Sequence, residues 1–172
     1  MKTLYLMRHA KSSWGNANLG DFERPLNERG HSDAPEMGRR LAQKTPRPQL
    51  IYASPAERAR QTILHVADAL GYPAEGIQWR EKIYGAGEEE ILRILQGTSD
   101  SIDTALLLGH NPTMGFCVAH WSRGFTHHFP TAALACLQIE TDRWAALGSS
   151  PGELVDYDHP KLGHDGRIDS RP

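Results

Sequence analysis

An α/β fold is what this chain predicts: a three-layer α/β/α arrangement around a mostly parallel central sheet. Three observations carry that prediction. Short apolar runs alternate with helical spacings along most of the chain. The runs Leu4-Tyr5-Leu6-Met7, Leu50-Ile51-Tyr52-Ala53 and Ala105-Leu106-Leu107-Leu108 are apolar throughout, as buried strands are. Each of them delivers polar residues where it ends: Arg8-His9, Ser54-Pro55 and Gly109-His110.

Taken in order, residues 3–8 form the first strand. Trp14 to Arg29 is polar and punctuated by Gly15, Gly20 and Pro25, so it reads as a long loop beside that strand's end. Gly30 to Lys44 places Ala34, Met37, Leu41 and Ala42 at helical spacing and stops before Pro46 and Pro48. Residues 50–53 are a short buried strand. Ser54-Pro55 reads as a helix cap with proline at the first helical position, and Ile63, Val66, Ala67 and Leu70 mark one face before Gly71 ends the helix. Ile77 to Tyr84 is a weaker extended segment, and Glu88 to Gln96 a short helix with Ile91, Leu92 and Leu95 inward. Thr104 to Leu108 is a strand, Pro112 to Arg123 a helix, and Ala133 to Glu140 another strand. From Gly148 the chain turns to Gly, Ser, Pro, Asp and His. The expectation is therefore one domain over residues 1–150, with residues 151–172 a loosely packed tail holding at most a strand near Leu154-Val155.

Bulk properties narrow the function classes. A chain of 172 residues is long enough to bury a core without disulfides or metal. The net charge of −2 argues against a surface that coats polyanions, so no nucleic-acid partner is expected and any anion chemistry should be local. Cys117 and Cys136 show no CxxC spacing. The apolar stretch at the start is shorter than the roughly seven residues of a signal peptide, and no segment reaches the ~18 of a membrane span. The reading is a cytoplasmic protein with no membrane partner; oligomeric state stays open.

In open α/β sheets ligands sit beyond the carboxyl ends of the strands, where His9, Ser54 and His110 all fall. Arg58, one turn into the helix after Pro55, adds a guanidinium and free helix N–H groups. Two arginines and two histidines suit a phosphoryl group, because guanidinium forks neutralise several nonbridging oxygens together. A neutral histidine can attack phosphorus itself.

These residues match a family. Arg8-His9-Ala10-Lys11-Ser12, Ser54-Pro55-Ala56-Glu57-Arg58 and Gly109-His110-Asn111-Pro112 resemble, in order, three signatures of the histidine phosphatase superfamily, which includes the phosphoglycerate mutases. The short length, Arg24-Pro25-Leu26-Asn27-Glu28-Arg29-Gly30 and Phe129-Pro130-Thr131-Ala132 look like SixA-type phosphohistidine phosphatases. The resemblance covers residues 1 to about 140 and implies a phosphoglycerate mutase-like fold, no cofactor and no required metal. It implies His9 as nucleophile, forming a phosphohistidine that water later hydrolyses, and Arg8, Arg58 and His110 as the groups holding the phosphoryl. Glu81 resembles the acid of the mutase branch. Ser12, Asn16 and Asn111 are further candidates for contact with substrate, as is Lys11. Ala10 stands where the family usually has glycine, which would matter if the backbone there needed positive φ.

The implied activity is a metal-independent phosphatase acting on phosphohistidine proteins. A phosphohistidine expels imidazole, which accepts a proton near neutral pH, so the acid matters less than for an ester. Two other readings stand beside it: a small-molecule phosphomonoesterase or mutase-like enzyme, and a non-catalytic module that binds phosphate through Arg8 and Arg58. A metal reading of His127, His128, His159 and His164 with Asp156, Asp158 and Asp165 lacks a ligand spacing.

Overall fold

The computed structural model of the chain describes residues 1–163. Within them, six strands and four α-helices follow the order β1 (Lys2–Arg8), α1 (Glu28–Ala42), β2 (Leu50–Ala53), α2 (Glu57–Leu70), β3 (Gln78–Trp79), α3 (Glu88–Gln96), β4 (Thr104–Gly109), α4 (Thr113–Trp121), β5 (Leu134–Ile139) and β6 (Gly152–Asp158). The sheet order is β3-β2-β4-β1-β5-β6. The first four are mutually parallel; β5 pairs antiparallel with β1 and with β6, so it alone of the six is reversed.

The strands' apolar runs have a two-sided destination. Successive side chains of a strand point to opposite faces, so Leu4 and Leu6 enter one core with Ile91, Leu95, Cys117 and Val118 of α3 and α4. Tyr5 and Met7 enter the other, with Met37, Leu41, Ile63 and Val66 of α1 and α2. Three layers result, and every β1 side chain from Lys2 to Met7 is buried. Lys2 is buried with its charge satisfied: its Nζ donates to the carbonyls of Asp100 (2.6 Å) and Ile102 (2.9 Å) and to Asp103 Oδ1 (3.0 Å). Helices α1 and α2 meet closely at Gly38, where a Cβ would lie 2.9 Å from the Ala69 methyl.

Several boundaries differ from the sequence expectation. Helix α1 starts two residues early, at Glu28, because Asn27 caps it by accepting from the Gly30 amide at 2.9 Å. Helix α2 starts at Glu57, with Ala56 at the cap position and no side-chain cap, so Ser54-Pro55 precedes the helix. Gly71 does end it, at φ 66°. The extended segment expected over Ile77 to Tyr84 shrinks to Gln78–Trp79, followed by a 3-10 turn at Glu81–Ile83. The strand near Leu154-Val155 is a seven-residue strand of the main sheet, paired with β5 through a bulge beside Cys136/Leu137. His164 and Asp165, and the tail beyond residue 163, lie outside the described residues.

Candidate active site

Register places the site residues. Arg8 pairs with Gly109 and Ala53 with Leu108, so His9, Ser54 and His110 leave three adjacent strands at one level. The His9 backbone is held from both sides: its N–H donates to Gly109 O (3.1 Å) and its carbonyl accepts from Ala132 N (3.0 Å). The Ala10 amide donates to Thr62 Oγ1 (3.0 Å), and that hydroxyl donates to Arg58 O (2.7 Å), tying β1's end to α2. Ala10 is absent from the positive-φ positions of the described residues, so the glycine-to-alanine departure costs no backbone strain there. Its small side chain is wholly buried.

His9 is buried, and its Nδ1 lies 2.7 Å from the Ala10 carbonyl. A carbonyl only accepts, so Nδ1 carries the proton and the Nε2 lone pair is free. Burial, with the charges of His110, Arg58 and Arg8 adding to it, lowers its pKa to about 3, so the ring is neutral near pH 7. The His110 ring centroid lies 5.1 Å from that of His9. Burial first, and then Arg58, brings the His110 pKa down to about 4.

Ser54 is the hydrogen-bond partner of His110. Its Oγ accepts from Ala56 N (3.3 Å) and lies 2.7 Å from His110 Nε2. In the tautomer that accepts the hydroxyl proton at Nε2, the imidazole proton sits on Nδ1. Expected as a helix cap and a neighbour of the pocket, Ser54 lies outside the helix and bonds a site histidine.

Arg58 is buried and clamped: its guanidinium donates to the Asp21 carbonyl (2.6 Å) and to Asp21 Oδ2 (3.0 Å). Tyr84 also donates to Asp21 Oδ2, at 2.7 Å, and its ring packs edge-on against His110 at 5.6 Å. The Tyr84 hydrogen bond, with Arg58 and Arg24 beside it, brings the Asp21 pKa down to about 2. Arg8 donates to Phe129 O (3.3 Å), and burial lowers its pKa. Among the described residues two buried side-chain nitrogens lack any hydrogen-bond partner, Arg8 Nε and His110 Nδ1. Arg8 Nε is a donor, His110 Nδ1 is one in the tautomer that accepts from Ser54, and both belong to this constellation.

The remaining candidates fall elsewhere. Ser12 Oγ is held by Arg24, and Asn16 Oδ1 accepts from Asn18 N (3.0 Å) in an exposed turn. Both ends of the Asn111 amide are engaged: Nδ2 donates to Phe129 O (2.7 Å) and Oδ1 accepts from Gly115 N (3.1 Å), which fixes α4 and the loop beneath Arg8. Glu81 is exposed at the start of its turn, and Tyr84 is the residue of that segment that reaches His110. Asp21 and Tyr84 were not anticipated. No group of three or more His, Cys, Asp or Glu side chains among the described residues is placed to hold a metal ion. No described helix is long and apolar enough to cross a membrane.

Known proteins share both sequence and shape with the chain. Residues 4–96 match the histidine phosphatase superfamily, branch 1. The structure of SixA from Nakamurella multipartitia, assigned as a phosphohistidine phosphatase, is 29% identical with a TM-score of 0.81, covering 92% of this chain and 96% of that one. The corresponding SixA from Agrobacterium tumefaciens is 30% identical with a TM-score of 0.78, covering 92% and 98%. A 2,3-bisphosphoglycerate-dependent phosphoglycerate mutase from Chelativorans sp. is 36% identical over 89 residues, 48% of this chain and 43% of the mutase. The phosphoglycerate mutase-like architecture, the matched residues carrying Arg8, His9 and Arg58, and the likeness over nearly the whole SixA chains converge: this chain belongs to branch 1 of the histidine phosphatase superfamily, and its activity is of the histidine phosphatase type.

Proposed function

We propose that the protein is a metal-independent phosphohistidine phosphatase working through a phosphorylated His9. The observation that carries the reading is the pair of orphaned donors, Arg8 Nε and His110 Nδ1, set around a histidine whose Nε2 lone pair is free. Buried donors of this kind are costly unless they meet an acceptor, and a phosphoryl oxygen is one.

His9 Nε2 attacks phosphorus in line as the P–N bond of the substrate breaks; the substrate imidazole, protonated beforehand by solvent at its other ring nitrogen, leaves neutral with that bond's electron pair. Arg8, Arg58 and His110 Nδ1–H share the negative charge on the equatorial oxygens. Water then attacks the phosphorus of phospho-His9, the bond to Nε2 breaks, phosphate departs and His9 returns neutral. Asp21 stays ionised under Tyr84 and Arg58, so it holds Arg58 and has no proton to give at neutral pH. A site whose contacting carboxylate is ionised suits a leaving group that needs little acid assistance, which favours a phosphoramidate over an ester. For ester substrates we assign the acid to Glu81 on its resemblance to the acid of the mutase branch alone; it stands exposed at the head of the turn that carries Tyr84.

The SixA likenesses support a phosphorylated protein as substrate. The mutase-like reading rests on the 89-residue match alone, less than half of that enzyme's length. Rapid acid-free quenching during turnover of a phosphohistidine peptide should trap an acid-labile phosphoenzyme, absent in His9→Ala. Wild-type turnover in His9→Ala would overturn the mechanism, and failure of every phosphosubstrate to turn over would leave a binding-only module.

A further inference from the structure

We infer that the cleft on the β6 side of Arg8 is a docking trough for an acidic polypeptide segment next to the phosphorylated residue, an inference that rests on the phosphoprotein reading above. The cleft holds about 570 Å³ and is lined by Arg8, Lys11, Arg29 and Lys161, by His128 and His159, and, among the described residues, by no carboxylate. In a chain of net charge −2, four permanent cations around one cleft are a local concentration of charge.

The walls are built. Arg40 donates to the carbonyls of His159 (3.1 Å) and Leu162 (2.9 Å) and to Asp158 Oδ1 (2.9 Å), which fixes the turn that presents Lys161. Tyr157 donates to His128 O (2.8 Å), holding the opposite wall to β6. His159 Nδ1 accepts from Lys161 N (3.2 Å), so its proton sits on Nε2 as a further donor. Asp33, which pairs with Arg29 at 3.3 Å, lies outside the lining.

Arg8 belongs to both places. Its guanidinium borders the phosphoryl site on one side and this cleft on the other, so whatever extends from a bound phosphoryl group toward β6 enters the cationic trough. Lysine ammoniums are point charges without a fork, and spaced along an open cleft they match side-chain carboxylates distributed along a chain. One further small anion would meet only part of the lining.

The test compares phosphohistidine peptides whose flanking residues are Asp/Glu with the same peptides carrying Gln, in wild type and in Arg29→Gln/Lys161→Gln. At low ionic strength the acidic peptide should be favoured about tenfold in kcat/KM, the preference falling below about twofold in the variant and at high salt. Hydrolysis of an aryl phosphate should stay within about twofold throughout. A second arm is independent of the phosphohistidine reading: an unphosphorylated Asp/Glu octapeptide should inhibit aryl phosphate hydrolysis competitively, several-fold more weakly in the variant. Equal turnover of both peptides overturns the trough and leaves the phosphatase reading standing. Octapeptide inhibition without phosphohistidine turnover overturns that reading and keeps the trough. A variant effect confined to small bis-phosphorylated compounds rejects the polypeptide in favour of a second phosphate.

Discussion

Replacing Ser54 by alanine tests the site at its least expected member. The Ser54 hydroxyl is wholly buried, 2.7 Å from His110 Nε2 and 3.3 Å from the Ala56 amide, so its loss strands an acceptor and a donor in the interior. A stranded buried group costs about 1–3 kcal/mol. At about 2–4 °C per kcal/mol for a domain of this size, Tm should fall by roughly 2–12 °C. The catalytic effect is separate. Without the Ser54 proton, His110 is free to place its own proton on Nε2, and the donor aimed at the phosphoryl group becomes an acceptor. Losing a hydrogen bond to a charged oxygen is worth about 1.5–3 kcal/mol, or roughly 10–150-fold in rate. Steady-state kcat/KM at 25 °C, with circular dichroism confirming a folded variant, reads this directly. Ser54→Thr, which keeps the hydroxyl, should retain more of the rate than Ser54→Ala. An alanine variant within twofold of wild type would refute the tautomer argument.

The two site histidines make acid stability a second prediction. Their pKa values are lowered by folding from 6.5 to about 3 and about 4, so between those values and 6.5 the unfolded chain binds protons that the folded chain refuses. Stability should therefore be fully present above pH 6.5 and fall as pH drops toward 4, by several kcal/mol for the pair. Urea unfolding across that range checks the sign, and NMR titration of His9 should show no protonation above pH 5; a midpoint near 6.5 would contradict the burial argument. Gly30→Ala should lower Tm by about 5 °C or more, because the new methyl would sit 2.2 Å from the Lys11 carbonyl, which also accepts from the Asn27 amide. Unchanged melting would mean that this contact yields freely. Glu81→Gln should slow alkyl phosphate hydrolysis by about tenfold and phosphohistidine hydrolysis by less than about threefold; equal effects on both would remove Glu81 as an acid for esters.

The parts of this architecture legible in the sequence are those made by short-range pattern. Apolar runs buried on both faces marked β1, β2 and β4, and parallel strands ending at one level brought His9, Ser54 and His110 together without further assumption. Asp21 and Tyr84 left no such trace. Asp21 meets Arg58 across 37 residues and Tyr84 across 63, from a polar loop and a turn whose folds depend on the assembled sheet. Strand β6 was hidden for another reason. Its pairing steps from Leu137↔Leu154 to Cys136↔Asp156, so Val155 is the extra residue of a bulge. Leu154 and Tyr157 then reach the same core three residues apart, and the period of two that betrays a strand is broken. Residue type makes Ser54 a cap and its strand end makes it a neighbour of the pocket, whereas its bond to a histidine 56 residues away shows only in the fold.

That bulge has a bearing on how the protein keeps to itself. An open sheet ends in unpaired backbone groups that can recruit a strand from another molecule. Among the described residues one margin is β3, with two residues to offer, and the other is β6, with a bulge at Val155 and fringed by Asp156 and Asp158, which are tied to Lys44 and Arg40. Deleting Val155 would straighten β6 into a smooth ribbon of bonding groups, so the irregularity that conceals this strand from a reader of the sequence also makes it a poor template for a neighbour.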